Sequence, residues 1–186
     1  SEFTGLAPKT RKDYSRYIRL IEDEFGDMSL RTLEDKRARG VFKEWRDELG
    51  FRRGEPVCVV TVGGSGVGRD LLELAIAAHD LARRHVDGLR TIAVTGPRID
   101  PAGLPRHPGL EVHGYVDRLY RHLAACDLAV VQGGLTTTME LTAAGRPFIY
   151  FPLGHHFEQN FHVRHRLERY GAGICMEYAA TTPERL

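Results

Sequence analysis

The sequence predicts a doubly wound parallel α/β sheet with helices on both faces, preceded by a pair of helices. Two valine-rich apolar runs, Val57–Val62 and Asp127–Val131, each end at paired glycines and lead into helix-forming stretches. Beyond residue 54 the segments alternate in the order β-α-β-β-α-β-α-β-α-β, the rhythm of parallel crossovers. Residues 1–54 instead carry two apolar stripes at helical spacing.

Taken in order, residues 8–25 and 34–49 are expected to be helices. Thr10-Arg11-Lys12-Asp13 is a capping-box-like start. Tyr14, Tyr17, Ile18, Ile21 and Phe25 follow at i, i+3, i+4, i+7 and i+11, and Gly26 ends the run. Ala38, Val41, Phe42, Trp45 and Leu49 repeat the pattern, with Gly50 as the stop. The stripes Tyr14, Ile18, Ile21 and Phe42, Trp45, Leu49 are expected to be buried. They exceed what two short helices cover mutually, so homo-oligomer contacts through them are expected as well. All four lysines lie before residue 54 and all nine histidines after it. Thirteen basic face eleven acidic residues in 1–54, and thirteen face fourteen in 55–186. This break suggests a helical segment, 1–50, joined to a second domain, 51–186, of different origin.

In the second domain Arg52-Arg53-Gly54-Glu55-Pro56 is a polar linker and Val57–Val62 a buried parallel strand. Gly63-Gly64-Ser65-Gly66-Val67-Gly68 separates it from a helix spanning about Arg69 to His85. A glycine loop between a first strand and a first helix is a phosphate cradle in many α/β folds. Its spacing is neither G-x-G-x-x-G nor a Walker loop, which disfavours dinucleotide and P-loop readings. A tight turn without a ligand is the alternative. Leu89–Thr95 is the next strand and Gly96-Pro97-Arg98 its turn. Asp100–Gly109 is loop, Leu110–Tyr115 a strand, and Asp117–Ala125 a helix with Leu119, Tyr120 and Leu123 inward.

The run Val131-Gln132-Gly133-Gly134-Leu135-Thr136-Thr137-Thr138-Met139-Glu140 carries the most chemistry. It reads as strand, glycine turn, helix start, and a carboxylate one turn in. Backbone N–H groups there approach a phosphate with the helix N-terminus behind them. Thr136, Thr137 and Thr138 add hydroxyl donors, and Glu140 is placed to accept from a ribose diol. The helix Leu135–Ala144 stops at Gly145-Arg146-Pro147. A strand, Phe148–Pro152, then leads to Glu158-Gln159, a carboxylate and an amide suited to sugar hydroxyls. If Phe157–Tyr170 is a helix, His162 and His165 share a face. They are expected to line the pocket or its rim, with no metal site. Gly171-Ala172-Gly173 leads to a last strand, Ile174–Met176. Thr181-Thr182-Pro183 has the chemistry of a helix start, and the chain ends barely a turn later, so a C-terminal truncation is expected.

The ordered series Gly-Gly, Glu, Pro, Glu-Gln, Gly-Ala-Gly is more specific than any one of its parts. From about Glu55 to Leu186 the chain resembles the C-terminal, nucleotide-sugar-binding domain of GT-B glycosyltransferases. The resemblance is closest to the glycosyltransferase 28 C-terminal family, which includes the peptidoglycan N-acetylglucosaminyl transferases. The donor signature also resembles that of macrolide and flavonoid glycosyltransferases. The resemblance implies a Rossmann-like fold with the diphosphate at Gly133 and Gly134, the ribose at Glu140, and the donor sugar at Glu158 and Gln159. It implies that Gly63, Gly64, Ser65 and Gly66 close over the diphosphate or face the acceptor. It sets the nucleobase near Tyr115 and Val116, the latter through its backbone; ordinary core packing is the other reading of Tyr115. Gln132 stands where the macrolide-type signature has His, able to donate to a phosphate but not to carry charge. His162 stands where that signature has Asn. The implied ligand is a UDP- or dTDP-sugar, with no cofactor. In the resembled family the acceptor domain carries the catalytic base. It is not among these residues, so no catalytic residue is assigned and the chain is expected to bind without turnover.

A second resemblance lies in Pro8-Lys9-Thr10, Tyr14, Tyr17, Phe25-Gly26, Leu33, Phe42 and Trp45-Arg46. These resemble part of the SAM-like core-binding domain of phage integrases, the tyrosine recombinases, and imply a chimera, natural or engineered. The recombinase Arg/His/Tyr set cannot be placed. DNA is not an expected partner, because half a clamp with so small an excess of positive charge gains little from counterion release. A net charge of +1 for the 186 residues also argues against a nucleic-acid surface. No run has membrane-spanning length, and neither a membrane span nor a signal peptide is expected. Cys58, Cys126 and Cys175 fit no metal spacing and read as reduced core thiols of a cytoplasmic protein.

Overall fold

The structure, a computed structural model, describes residues 7–25, 44–64 and 66–186. The chain divides into two compact units, Ser1–Val41 and Phe42–Leu186. In the first, helix α1 spans Pro8–Phe25. Proline suits the first helical position, where its fixed φ is helical and its missing N–H is not needed. The helix starts before Thr10, so Thr10 lies inside it and the expected capping box is not its start. Ile18 is 48% exposed, against the expectation of a buried stripe. An amphipathic helix covers its stripe only against another surface. The side chains of Tyr14 and Ile21, the whole of Phe42, and residues 34–43 of the expected second helix lie outside the described residues.

In the second unit residues 44–48 are helical and belong to α2. Trp45 is buried, as expected, with Tyr120 edge-on at 5.9 Å. Arg46 donates to the carbonyls of Ala125 and Glu55, both at 2.7 Å. The composition break near residue 54 therefore does not coincide with the structural division. Six parallel strands follow: β1 (Val57–Thr61), β2 (Arg90–Val94), β3 (Leu110–His113), β4 (Leu128–Gln132), β5 (Phe148–Phe151) and β6 (Ile174–Cys175). Their order is β3-β2-β1-β4-β5-β6, so the direction of winding reverses between β1 and β4. In such sheets ligands bind at that reversal, outside the carboxyl ends of the strands.

The alternation of strand side chains builds the core. Val60, Val130 and Phe151 pack with Leu71, Leu72, Ala75 and Ile76 of α3 (Arg69–Ala82). Val59, Ala129 and Val131, in the alternate positions, are also buried. Helix α5 (Leu135–Ala143) packs against α4 (Leu119–Ala125) and α6 (Arg164–Tyr170). His79 is buried between α3 and β2. Its Nε2 lies 3.0 Å from the Pro108 carbonyl, which only accepts, so that nitrogen carries the proton and Nδ1 accepts from the Thr91 hydroxyl at 2.9 Å. All three cysteines are free; Cys126 is fully enclosed, and burial pushes its thiol up to about 12.

The helix expected over 157–170 begins differently. Glu158–Val163 is a π-helical turn that passes into α6. Gly171 then ends α6 at φ 60, with Ala172 N–H donating to the Leu167 carbonyl at 2.9 Å. After β6 a 3₁₀ turn, Tyr178–Ala180, sets Tyr178 and later Leu186 against the core. The expected terminal helix start is a single turn, in which Leu186 N–H donates to the Thr182 carbonyl at 3.1 Å. Among the described residues no helix is long and apolar enough to cross a membrane.

Candidate functional site

Two helices start on glycine at the reversal between β1 and β4. Helix α3 follows Gly68 and α5 follows Gly134, and neither has a side-chain cap. The first N–H groups of each helix therefore lack both an intrahelical acceptor and a capping oxygen. Together with the helix dipoles they give the crevice a positive, donor-rich floor. The loop before α3 needs its glycines for space as well as conformation. Gly63 sits at φ +71, a Cβ on Gly68 would overlap the Val62 side chain, and a Cβ on Gly96 would overlap the Gly63 carbonyl. The turn after β2 is thus pressed onto the loop after β1. Gly64 and Gly66 lie in this loop, and Ser65 is outside the described residues.

At the end of β4 the Gly133 N–H donates to the Phe151 carbonyl at 3.3 Å and the Gly134 N–H to the Gln132 carbonyl at 2.6 Å. The donors left without intrahelical acceptors are those of Leu135, Thr136 and Thr137. Gly133 answers a close approach: a Cβ there would stand 3.3 Å from Pro152 Cα and 3.6 Å from Gln159 Oε1. This contact brings Gln159 onto the glycine turn. Gln159 Oε1 accepts from Leu153 N–H at 2.9 Å, and Asn160 Nδ2 donates to the Leu153 carbonyl at 2.6 Å, so the loop after β5 is braced from within. Glu158 is exposed beside it. Thr136 is exposed and Thr137 half-buried. Thr138 is buried, and its hydroxyl donates to the Gly134 carbonyl at 2.9 Å, which turns it inward instead of toward a ligand as expected.

Glu140 is half-buried on α5, and burial alone holds its carboxyl above the ordinary range. Tyr115, after β3, is 78% exposed, which excludes core packing as its role, and Val116 is half-buried. Gln132 is only 5% exposed, and its Nε2 meets no hydrogen-bond partner. The buried hydroxyl of Tyr178 likewise makes no hydrogen bond of full geometry, although Gln132 is its neighbour. Burial raises the Tyr178 pKa, the neighbouring Gln132 amide opposes that rise, and Asp70, in the first turn of α3, adds to it. Sequence reasoning missed Tyr178, which reaches the crevice only because the chain folds back after β6.

His162 lies edge-on to Phe157 at 5.5 Å, and Phe157 stacks on Phe161 at 4.6 Å, all three exposed. Among the described residues no group of three His, Cys, Asp or Glu side chains is placed to hold a metal ion. An apolar cavity of about 250 Å³, lined by residues that include Val57, Cys58, Ala75, His79, Leu128 and Leu186, opens toward the amino ends of the strands and is not part of this site.

An uncharacterized glycosyltransferase of Methanopyrus kandleri, MK0977, is 28% identical over 76% of this chain, which spans 39% of that protein. A UDP-N-acetylglucosamine--N-acetylmuramyl-(pentapeptide) pyrophosphoryl-undecaprenol N-acetylglucosamine transferase of Rubrobacter xylanophilus is 28% identical over 95% of this chain, which spans 55% of that protein. The second alignment reaches into the N-terminal helical segment and gives no support to an integrase-like origin for it. The calicheamicin glycosyltransferase CalG4 superposes with a TM-score of 0.58 over 72% of this chain and 32% of its own, at 21% identity, a likeness of fold. The profile of the glycosyltransferase family 28 C-terminal domain matches residues 57–186, and the chain belongs to that family.

Proposed function

We propose that this chain is the donor-binding half of a glycosyltransferase and that its ligand is a UDP- or dTDP-sugar. One observation carries the reading. Glu140 is a half-buried carboxylate, one turn past an uncapped, glycine-started helix N-terminus, and burial raises its pKa. A carboxylate held that way lacks donors, and a ribose diol supplies two. In this reading the diphosphate rests at the first turns of α5 and α3. Glu158 and Gln159 meet the sugar, Tyr115 and Val116 flank the base, and Gln132 donates to a phosphoryl oxygen. Charge that develops on the departing diphosphate is then met by fixed N–H groups and helix dipoles, which need no reorganisation during the reaction. The Rubrobacter relative is named for UDP-N-acetylglucosamine, which favours uracil as the base.

The chain spans about half or less of these relatives. We assign the acceptor and the base that deprotonates it to the part it does not span, and expect no sugar transfer by these 186 residues alone. Without an oriented acceptor most of the catalytic advantage is lost. Titration calorimetry with UDP and dTDP tests the reading. The expected dissociation constant is about 0.1–1 mM, or about 4–5.5 kcal/mol. Absence of binding at 10-fold higher ligand, or transfer to any acceptor by the isolated chain, would overturn it.

A further inference from the structure

The most unusual polar feature of the crevice is a pair of buried orphans. Gln132 is the last residue of β4 and, by alternation, shares a sheet face with Val130 and Phe151. Its register partner on β5 is Phe151, and the Tyr178 ring packs on that same phenylalanine, with centroids 5.2 Å apart. The Gln132 amide nitrogen and the Tyr178 hydroxyl are both shielded from water and make no hydrogen bond of full geometry, yet the two lie close enough for the Gln132 amide to act on the Tyr178 hydroxyl. Buried polar atoms of this kind are seldom left unpaired without a role.

We propose that Tyr178 is a positioning residue for the donor crevice, its hydroxyl holding the Gln132 amide so that an amide proton meets a phosphoryl oxygen at the Gly133–Gly134 turn. The chemistry of the two groups suits this. A glutamine amide offers two donors and one acceptor oxygen, and a tyrosine hydroxyl both donates and accepts. The terminal torsion of glutamine is soft. The hydroxyl accepts from Nε2 in one amide orientation and donates to Oε1 in the other. In the second orientation the NH₂ group is turned away from the tyrosine and is free for an anion. Phenylalanine at 178 would keep the packing on Phe151 and remove only this partner. The inference rests on the donor-binding reading for the identity of the anion, and on the two orphan atoms for the role of Tyr178.

The test is calorimetry on the 186-residue chain and on Tyr178→Phe, Gln132→Met and the double variant, with UDP, uridine and inorganic pyrophosphate as probes. Tyr178→Phe is expected to weaken UDP and pyrophosphate by about 5- to 20-fold and to leave uridine unchanged. The double variant is expected to lose no more than Gln132→Met, because the two residues act as a unit. Wild-type affinity for UDP in Tyr178→Phe would overturn the inference and leave the donor reading standing. An equal loss of UDP and uridine, with a lowered Tm, would assign Tyr178 a merely structural role. Tyr178-dependent binding of pyrophosphate without binding of UDP would overturn the donor reading and leave this inference standing. If Tyr178→Phe does not fold, the side-chain amide resonance of Gln132 in ¹⁵N-labelled wild type decides. It should shift on addition of pyrophosphate, and a resonance that does not move refutes the role.

Discussion

At the amino ends of the strands the charged side chains are tied to one another and to backbone groups. Arg46 bridges the carbonyls of Ala125 and Glu55 and pairs with Asp127 at 3.2 Å, and Asp127 in turn accepts from Val57 N–H at 2.9 Å. Arg90 donates to Glu111 at 2.6 Å and stands 5.2 Å over the Phe51 ring. At the carboxyl ends two helices begin without a cap, Glu140 is desolvated without compensation, and Gln132 and Tyr178 bury polar atoms that make no hydrogen bond of full geometry. The same strands supply both rims, so strand propensity does not make the difference. One rim is tied together by ion pairs, and the other carries the helix N-termini and the half-buried carboxylate to which the proposed donor site is assigned. Substitutions at the two rims should therefore separate stability from binding.

The largest effect is expected at the closed rim. Trp45→Ala removes a buried aromatic that packs on Tyr120 and under the Arg121 guanidinium at 5.3 Å. It should cost about 3–5 kcal/mol in chemical denaturation. UDP affinity of the protein that remains folded should not change. A parallel loss of affinity would mean that the two rims are coupled, and the contrast would fail.

Glu140→Gln should act in the opposite way. Binding of UDP is expected to weaken by about 1–3 kcal/mol, the range for a charged hydrogen bond, with no loss of stability. The pH dependence distinguishes this carboxylate from Glu111. Burial raises the Glu140 pKa, so its penalty is present above the raised value and disappears as the pH falls toward the ordinary value. The hydrogen bond from Arg90 lowers that of Glu111, so its stabilisation is present above the ordinary value and is lost as the pH falls through the depressed one. Melts of Glu140→Gln and Glu111→Gln against wild type between pH 7 and 3 should therefore show differences of opposite sign. Like-signed differences would remove Glu140 from the open rim. Loss of stability without loss of binding would remove it from the ribose.

These two carboxylates also show what the sequence could and could not convey. The parallel sheet was legible because Val57–Val62 and Asp127–Val131 are continuous apolar runs stopped by glycines, a pattern fixed by burial on both faces. Glu140 was legible as a carboxylate one turn past the Gly133–Gly134 turn, since helix geometry fixes that distance. Tyr178 was not, because its place depends on a return of the chain across 46 positions from Gln132 that no local pattern encodes. The π-helical turn at Glu158–Val163 was hidden as well. Its apolar spacing is close enough to a helix to be read as one. The glycine at 133 was read as freedom for a phosphate to approach, whereas the structure also needs it for Pro152 and Gln159 to approach.

Gly133→Ala tests that second reading. Its methyl would meet Pro152 Cα at 3.3 Å and Gln159 Oε1 at 3.6 Å, tighter than ordinary contact on the backbone side. Overpacking of this kind should cost about 1–2 kcal/mol of stability. The loop after β5 should be displaced with it, so that affinity for a UDP-sugar falls more than affinity for UDP. Equal losses for the two ligands would dissociate Gln159 from the sugar.

Gly134→Ala should have the smallest effect on the fold and so gives the cleanest test of the crevice. Gly134 has φ −70 and ψ 137, open to any residue, and a methyl there meets nothing closer than the Gln132 carbonyl at 3.9 Å. Two terms of opposite sign act on stability. Alanine restricts the unfolded chain, a gain of about 0.4–1 kcal/mol. As an N-cap it is poorer than glycine, a loss of similar size. The net change in Tm should be close to zero. The methyl, however, projects over the first turn of α5, where the diphosphate is proposed to rest. Binding of UDP should weaken while uridine is held as before. If UDP binds Gly134→Ala as it binds wild type, the diphosphate does not lie at this turn, and the uncapped N-terminus of α3 becomes the place to look for it.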